Sequence, residues 1–324
     1  MQPSSLRYLW PAYKRLLQRS KKPILVGPWR GEVGFEALYW IPWLEAFGLP
    51  KERLIPVTRG GMGVLYGTPT YLELYAMRKP EAIRVENRLQ HQQTGMLKQM
   101  RTSAFDRQVL KDAAETLKLT DYHVLHPKWM YQSLSPFWDG HKGIAWLMPQ
   151  LTFPVPKLDL QGDVKLPEKF VAVRFYARAT FPAHPMTADV ARETIKHLAK
   201  DQAVILLNSG GFFDDHMDFE PKSPIPNVYK LGDLLKLTPE NNLGAQAAVL
   251  TKALGFVGTY GGLAQLALRL RKPAVSFYTE WGGTAWPHRT LSEMLAASMG
   301  VPFNVLRVGD LPLMQSILPR FVAQ

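Results

Sequence analysis

A chain of 324 residues, 46% hydrophobic and 20% charged, has the composition of a folded globular protein of about two domains, not of a disordered one. It contains no cysteine, which excludes disulfides, thiolate metal sites and cysteine nucleophiles and fits a reducing, cytoplasmic setting. Lys plus Arg number 39 against 27 Asp plus Glu, a net charge of +12, so phosphates, anionic membrane surfaces and nucleic acid are the favoured partners.

No apolar run approaches the roughly 20 residues that cross a bilayer. The N-terminus has neither an apolar core segment nor an Ala-x-Ala cleavage site, so no leader is expected. Residues 6–22 are basic, aromatic and partly amphipathic. Leu6, Leu9, Trp10, Tyr13, Leu16 and Leu17 fall near helical spacing. Arg7, Lys14, Arg15, Arg19, Lys21 and Lys22 supply charge, and no acid precedes Glu32. Two readings stand: a foot on an anionic membrane surface, on its inner face, or a helix packed on its own domain with a solvated basic face.

A short buried strand follows over 23–29 and enters the loop Gly31-Glu32-Val33-Gly34. Phe35 to Phe47 reads as an aromatic-rich helix despite Pro42. A second strand at 53–57 ends in Arg59-Gly60-Gly61-Met62-Gly63. Two polar helices span 81–118 with a break near Thr102-Ser103, and 122–125 is a further strand. Prolines then recur over 148–168 and break regular structure. The domain boundary is placed there: 1–150 as an N-terminal acceptor-binding domain and 151–324 as a C-terminal nucleotide-sugar-binding domain.

The second half repeats the strand–helix alternation. Strands are expected at 170–175, 203–208, 255–258 and 274–278. Helices are expected at 188–200 (capped by Thr187), 242–254, 262–270 and 313–322, the last packing back on the N-terminal domain. Alternation of this kind implies an α/β fold of two doubly wound Rossmann-like domains facing a cleft. Ligands of such sheets bind at the carboxyl ends of the strands.

The sharpest segment is Gly258-Thr259-Tyr260-Gly261-Gly262-Leu263-Ala264-Gln265. A strand stops, glycines bracket Thr259 and Tyr260, and a helix starts. Free N–H groups with little side-chain bulk at a helix N-terminus bind anionic oxygens. The Thr259 hydroxyl can cap the helix or donate to a phosphate. An ordinary tight turn has the same pattern. No Gly-Lys-Ser/Thr follows, so it is not a P-loop, nor is it G-x-G-x-x-G.

The run from Gly255 to Ala267, followed by Arg271-Lys272-Pro273-Ala274-Val275-Ser276-Phe277-Tyr278, resembles the donor half of GT-B glycosyltransferases, in their heptosyltransferase-like and fucosyltransferase-like branches. Gly27-Pro28-Trp29-x-Gly31-Glu32-x-Gly34-Phe35-Glu36 resembles the first strand and loop of such proteins. The specific motifs span about a tenth of the chain, the layout both halves. The resemblance implies a nucleotide-sugar-dependent glycosyltransferase in which Gly258, Thr259, Tyr260, Gly261, Gly262 and Gln265 hold the donor's diphosphate. It also implies inverting, metal-independent transfer to a hydroxyl acceptor such as a glycan or lipid-linked envelope saccharide. No cofactor is expected beyond the nucleotide sugar as co-substrate.

The residues agree with that chemistry. Arg174 and Arg178 follow the first strand of the second half, and guanidinium groups bind phosphate oxygens and stay charged. They are candidates to stabilise the departing diphosphate; a salt bridge is the plainer role for each. Glu32, in a glycine-flanked loop beside Trp29 and Phe35, is the candidate general base, since an apolar setting raises a carboxyl pKa. Glu36 is its competitor. Asn208 and Ser209 are candidate nucleotide contacts and Glu280 a candidate ribose ligand. Asp214-Asp215-His216-Met217-Asp218 is read as a solvated acidic loop rather than a divalent-metal site. His184 and His288, beside prolines, are read as loop residues; His123 and His126 lack a third ligand. Trp29, Trp40, Trp43, Trp281 and Trp286 fit core packing better than sugar stacking. The alternatives are glycosylation of a modified base in DNA, with recognised DNA-binding motifs missing, and a non-catalytic sugar-nucleotide or glycan-binding protein on the same scaffold.

Overall fold

The computed structural model describes residues 3–94, 99–160, 164–178, 181–208, 217–221, 223–279 and 285–308, without the side chains of 3–8, 93, 94, 285 and 286. The chain divides into two compact units, Met1–Lys157 with Pro239–Gly244, and Leu158–Thr238 with Ala245–Gln324. Each is α/β with a parallel main sheet. The helix expected at 313–322 lies outside the described residues.

The first unit opens with α1 (Pro3–Arg19) and β1 (Ile24–Val26). Next come α2 (Val33–Phe35), a π-helical turn (Glu36–Trp40) and α3 (Ile41–Glu45). This is the single helix expected over 35–47, with a wide turn inserted. Pro42 has no N–H to return to the preceding turn, and the π turn absorbs that defect. Then follow β2 (Leu54–Thr58), β3 (Leu72–Glu73), α4 (Leu74–Met77), α5 (Pro80–Thr94), α6 (Ala104–Thr116) and β4 (His123–Leu125). Ser103 caps α6 in a reciprocal box with Asp106, which is why the chain breaks at that point. The unit closes with α7 (Lys128–Ser133), α8 (Ser135–Trp138) and α9 (Ile144–Leu147).

Its strands run in the order β3-β2-β1-β4. Leu25 and Val57 pack with Ile83 of α5 and Val109, Leu110 and Ala113 of α6. A separate aromatic cluster seats α1. Trp10 lies 5.0 Å from Trp43, 5.1 Å from Phe47 and 5.5 Å from Trp129 by ring centroid, and the Tyr13 hydroxyl donates to the Val124 carbonyl at 2.7 Å.

The second unit contains β5 (Phe170–Arg174), β6 (Tyr176–Ala177), α10 (Pro185–Leu198), β7 (Ala203–Leu206), β8 (Met217–Asp218), β9 (Val228–Lys230) and α11 (Leu231–Leu234). Then come α12 (Asn242–Lys252), whose first residues count with the first unit, β10 (Phe256–Thr259), α13 (Gly262–Arg269), β11 (Ala274–Tyr278), α14 (Ala285–Met299) and β12 (Phe303–Arg307). Helix α10 starts earlier than expected. His184, not Thr187, is its cap, with Pro185 in the first turn and the Thr187 hydroxyl closing the box from inside. His288 lies within α14, not in a loop.

The six-stranded sheet has the order β12-β11-β10-β5-β7-β9. All five residues of β5 and of β11 are buried, as the continuous apolar runs of a sheet covered on both faces require. Val171, Val173, Val204, Leu206, Val257, Val275 and Phe277 share one core with Val190, Ile195 and Leu198 of α10, and α13 packs against β10 and β11. The chain winds outward from β5 through β7 to β9, returns to β10 beside β5, then winds the other way.

Candidate functional site

The reversal of winding between β5 and β10 is the topological switch point of the second unit, where doubly wound sheets bind ligands beyond their carboxyl ends. Strand β5 ends at Arg174 and β10 at Thr259. Gly258 pairs with Arg174 in register. A Cβ on Gly258 would sit 2.0 Å from the Arg174 carbonyl oxygen, so only glycine allows the two strands to approach. The Thr259 hydroxyl accepts from Tyr176 N at 3.0 Å and donates to Tyr176 O at 3.1 Å. It therefore clips β6 to the end of β10 and does not cap α13. Tyr260 N donates to Phe277 O at 2.9 Å, and burial pushes the Tyr260 hydroxyl up to about 12. Gln265, 7% exposed, lies in the first half of α13.

Gly261 is the N-cap of α13 and brings no side chain to it. The first-turn N–H groups have no intrahelical acceptor and carry the positive end of the helix dipole. Beside them stands Arg178. Its backbone bridges to Phe181 through two 3.0 Å hydrogen bonds, and its Nη1 donates to Tyr260 O at 3.4 Å. A Cβ on Gly261 would lie 2.5 Å from that Nη1 and 2.2 Å from the Tyr176 hydroxyl. The Arg178 Nε is buried and has no hydrogen-bond partner among the described residues. A guanidinium with donors to spare thus overlies a bare helix N-terminus.

Arg174 is occupied differently. It is 2% exposed. Its Nε and Nη2 donate to the two Asp218 carboxylate oxygens at 2.8 and 3.4 Å, and its Nη1 to Gln246 Oε1 at 3.3 Å. The carboxylate partner of Arg174 came from the segment read as a solvated acidic loop; Asp218 is instead a half-buried residue of β8. Asn208 is 2% exposed and donates to Phe219 O at 3.3 Å. Ser209, Asp214, Asp215, His216 and Glu280 lie outside the described residues. Among the described residues no group of three or more His, Asp or Glu is placed to hold a metal.

The switch point of the first unit lies between β1 and β4, and the protein's own side chains fill it. Arg30, 2% exposed, donates through Nε to Asp106 Oδ1 at 2.8 Å, through Nη1 to Asn87 at 2.5 Å and through Nη2 to Gln90 at 2.9 Å. His126 Nδ1 accepts from Lys128 N at 3.0 Å, which leaves Nε2–H to face Asp106 Oδ2 at 3.2 Å. Burial raises the Asp106 carboxyl, but the His126 hydrogen bond and the Arg30 charge outweigh it and hold it well below the ordinary range. Burial pushes His126 down against the pull of the Asp106 carboxylate.

Glu32, also in the first unit, is the exposed N-cap of α2. Its charge adds to burial in raising the Tyr131 hydroxyl. The apolar setting expected for Glu32 belongs to Glu36, which is 0% exposed. Glu36 Oε1 accepts from Thr58 Oγ1 at 2.6 Å and Tyr66 OH at 2.7 Å, while Oε2 has no hydrogen-bond partner among the described residues. Burial lifts its pKa to about 7 against the pull of Arg59 and the two hydroxyls. Arg59 in turn donates to the Gly31 carbonyl, next to Glu32. Glu73 accepts from the N–H groups of Gly60 and Gly61 at 2.9 and 2.8 Å, and burial lifts it to about 7 as well.

The second unit thus brings Arg178 together with Gly258, Thr259, Tyr260, Gly261, Gly262 and Gln265 around one strand end and one helix start. Glu36 was expected only as the competitor of Glu32, and His126 only as a histidine without a third ligand; Arg30 and Asp106 formed no part of the expected site. The only sequence signals for these four were an acid one helical turn after Glu32 and the Ser103-x-x-Asp106 box.

No known sequence family and no curated protein matches the chain in sequence. Among solved structures it is similar to the E. coli heptosyltransferase WaaC with ADP (14% identity, 92% of this chain and 99% of that chain, TM-score 0.45). It is also similar to a glycosyl transferase family 9 protein from Veillonella parvula (10% identity, 93% and 90%, TM-score 0.48). A third is the dodecameric iron-containing heptosyltransferase TibC of enterotoxigenic E. coli, in complex with ADP-D-beta-D-heptose (15% identity, 81% of this chain, TM-score 0.42). The chain covers 60% of that protein's length.

Proposed function

We propose that this protein is a nucleotide-sugar-dependent glycosyltransferase of GT-B type, with the donor's diphosphate at the end of β10 and the start of α13. One observation carries the reading. Of the two switch points, that of the first unit is plugged by the Arg30–Asp106–His126 network, whereas that of the second presents the uncapped α13 and Arg178 over Gly261. Backbone N–H groups and a guanidinium are the donors a diphosphate needs. The family resemblance of the Gly255–Ala267 run supports the same site.

In the proposed reaction an acceptor hydroxyl held by the first unit attacks the anomeric carbon. The new C–O bond forms as the bond to the diphosphate oxygen breaks. The hydroxyl proton passes to the Glu32 carboxylate, and the leaving diphosphate takes the bonding pair. Arg178 and the α13 N–H groups stabilise the charge that develops there. Arg174, paired with Asp218 and Gln246, holds the end of β5 and so positions the segment leading to Arg178. Transfer would invert the anomeric centre, need no metal, and deliver the sugar to a glycan or lipid-linked saccharide.

The test is release of nucleoside diphosphate from a panel of nucleotide sugars with glycan acceptors. Glu32→Gln should abolish turnover and leave donor affinity nearly intact. Equal loss of both would remove Glu32 as the base. Donor binding with neither transfer nor slow hydrolysis would favour a non-catalytic sugar-nucleotide-binding protein.

A further inference from the structure

The outer face of α1 is a surface of a different kind, independent of the donor site. Among the described side chains, the inner face of the helix is packed on its unit. Leu17 is 1% exposed, Trp10 and Tyr13 stack on Trp43 and Trp129, and Lys14 lies 4.9 Å over the Phe47 ring. The C-terminal turn is tied down by Arg53, which donates to the carbonyls of Leu17 and Lys22 at 3.1 and 3.0 Å. The helix is thus fixed to its unit, and the way its other side faces is fixed with it.

That other side carries Leu9, Ala12, Leu16 and Arg19, spaced three and four apart and all exposed, which makes them one stripe. Leu9 is 54% and Leu16 49% exposed. Arg15 lies alongside, and Lys21 follows the helix. Arg15, Arg19 and Lys21 form no ion pair among the described residues; Lys22 is spent on Asp121 at 2.7 Å. No acidic residue occurs in the first 31 positions. A single exposed leucine needs no explanation. Two on one stripe, flanked by unpaired arginines and free of acids, match a helix that lies in a membrane interface, with leucines in the acyl boundary and arginines at anionic headgroups.

We infer that the stripe of Leu9, Ala12, Leu16 and Arg19, with Arg15, docks the protein onto an anionic lipid surface. Both sequence readings of residues 6–22 then hold, one for each face of the same helix.

Vesicle flotation of the full chain tests this. The probes are vesicles of phosphatidylcholine alone and of phosphatidylcholine mixed with phosphatidylglycerol. The protein should float with the anionic vesicles only, and added salt should weaken binding. Arg15→Gln and Arg19→Gln should each lower the partition coefficient about fivefold. The pair Leu9→Ser and Leu16→Ser should lower it about tenfold or more. All four positions are exposed, so the variants should melt with the parent. The pair Val85→Ser and Leu89→Ser, equally exposed on α5, should leave flotation unchanged. Absence of flotation, equal flotation with both vesicles, or unchanged flotation of the α1 variants would overturn the inference. Salt-sensitive retention on duplex DNA without flotation would reassign the stripe to nucleic acid.

Discussion

Gly261→Ala separates an anion site from an ordinary turn. Gly261 has an extended backbone, with φ of 166°, so alanine brings no dihedral strain there. The new methyl would instead meet Arg178 Nη1 at 2.5 Å and the Tyr176 hydroxyl at 2.2 Å. Both obstacles are ends of flexible side chains. Arg178 can withdraw by about 1 Å, far enough to break a hydrogen bond to a bound anion. A hydrogen bond to a charged group contributes about 1.5–3 kcal/mol. Losing it should weaken nucleoside-diphosphate binding about 10- to 150-fold with a small change in melting temperature. Gly258→Ala is the contrast. Its methyl would meet a backbone carbonyl at 2.0 Å, between the two central strands of the sheet, and nothing there can swing away. It should cost about 3 kcal/mol or more of stability. Calorimetric titration and thermal unfolding of both variants read the two effects separately. A Gly261→Ala protein that binds diphosphates as tightly as the parent would refute the placement of the anion.

Other variants probe other parts of the account. Arg178→Ala should weaken diphosphate binding as much as Gly261→Ala does, and Arg178→Lys should restore it only in part, because a lysine lacks the planar fork; full rescue by lysine would argue for a point charge alone. Glu36 is ionised in the unfolded chain above about 4.5 and in the folded chain only above about 7, so its contribution to stability is full below the lower value and lost as pH rises through the higher one. At about 1.4 kcal/mol per pH unit, Glu36→Gln should be more stable than the parent by about 3 kcal/mol at pH 8 and equal to it near pH 4. Denaturant titrations across that range check the trend, and a difference independent of pH would contradict the buried carboxyl. Asp106→Asn leaves the buried Arg30 with only the more distant Glu86, 3.9 Å from its Nη2, as a carboxylate partner and should cost about 3 kcal/mol, with nucleotide affinity unchanged once the protein is folded; a loss below about 1 kcal/mol would show that the network does not hold the first switch point.

Much of the scaffold was legible because buried parallel strands write themselves as continuous apolar runs. Phe170–Arg174, Ala203–Leu206 and Ala274–Tyr278 are of this kind, each closed by a turn or a helix start. Strand β12 was not legible. It lies at the sheet edge, with Phe303, Asn304 and Val305 only half buried, so its pattern is mixed. The return of Pro239–Gly244 to the first unit is announced by no change in composition. The turn at Gly258–Gly262 was readable from its glycines: Gly258 is required by the close approach of a backbone carbonyl, and Gly261 leaves room for the ends of the Tyr176 and Arg178 side chains. What Thr259 and Arg174 do was not readable. The hydroxyl is spent on Tyr176, 83 residues away, and the guanidinium on Asp218, 44 residues away. Local spacing carries no trace of either partner. Glu32 and Glu36 show the same limit. Which of two acids one helical turn apart is buried depends on the rotation of the helix, and the π turn ahead of Pro42 alters that rotation.

The central claim is that the second unit binds a nucleoside diphosphate through Arg178 and the start of α13. Thermal unfolding with UDP, GDP, ADP, dTDP and CMP, without and then with Mg²⁺, measured on the parent and on Arg178→Ala, tests it most directly. A ligand at about 100 times its dissociation constant adds about 2.7 kcal/mol to the folded state. The account predicts a selective rise in melting temperature with one diphosphate, unaffected by Mg²⁺ and cut in Arg178→Ala to about 0.3–1.4 kcal/mol of added stability. No shift with any nucleotide, or an undiminished shift in Arg178→Ala, would contradict it.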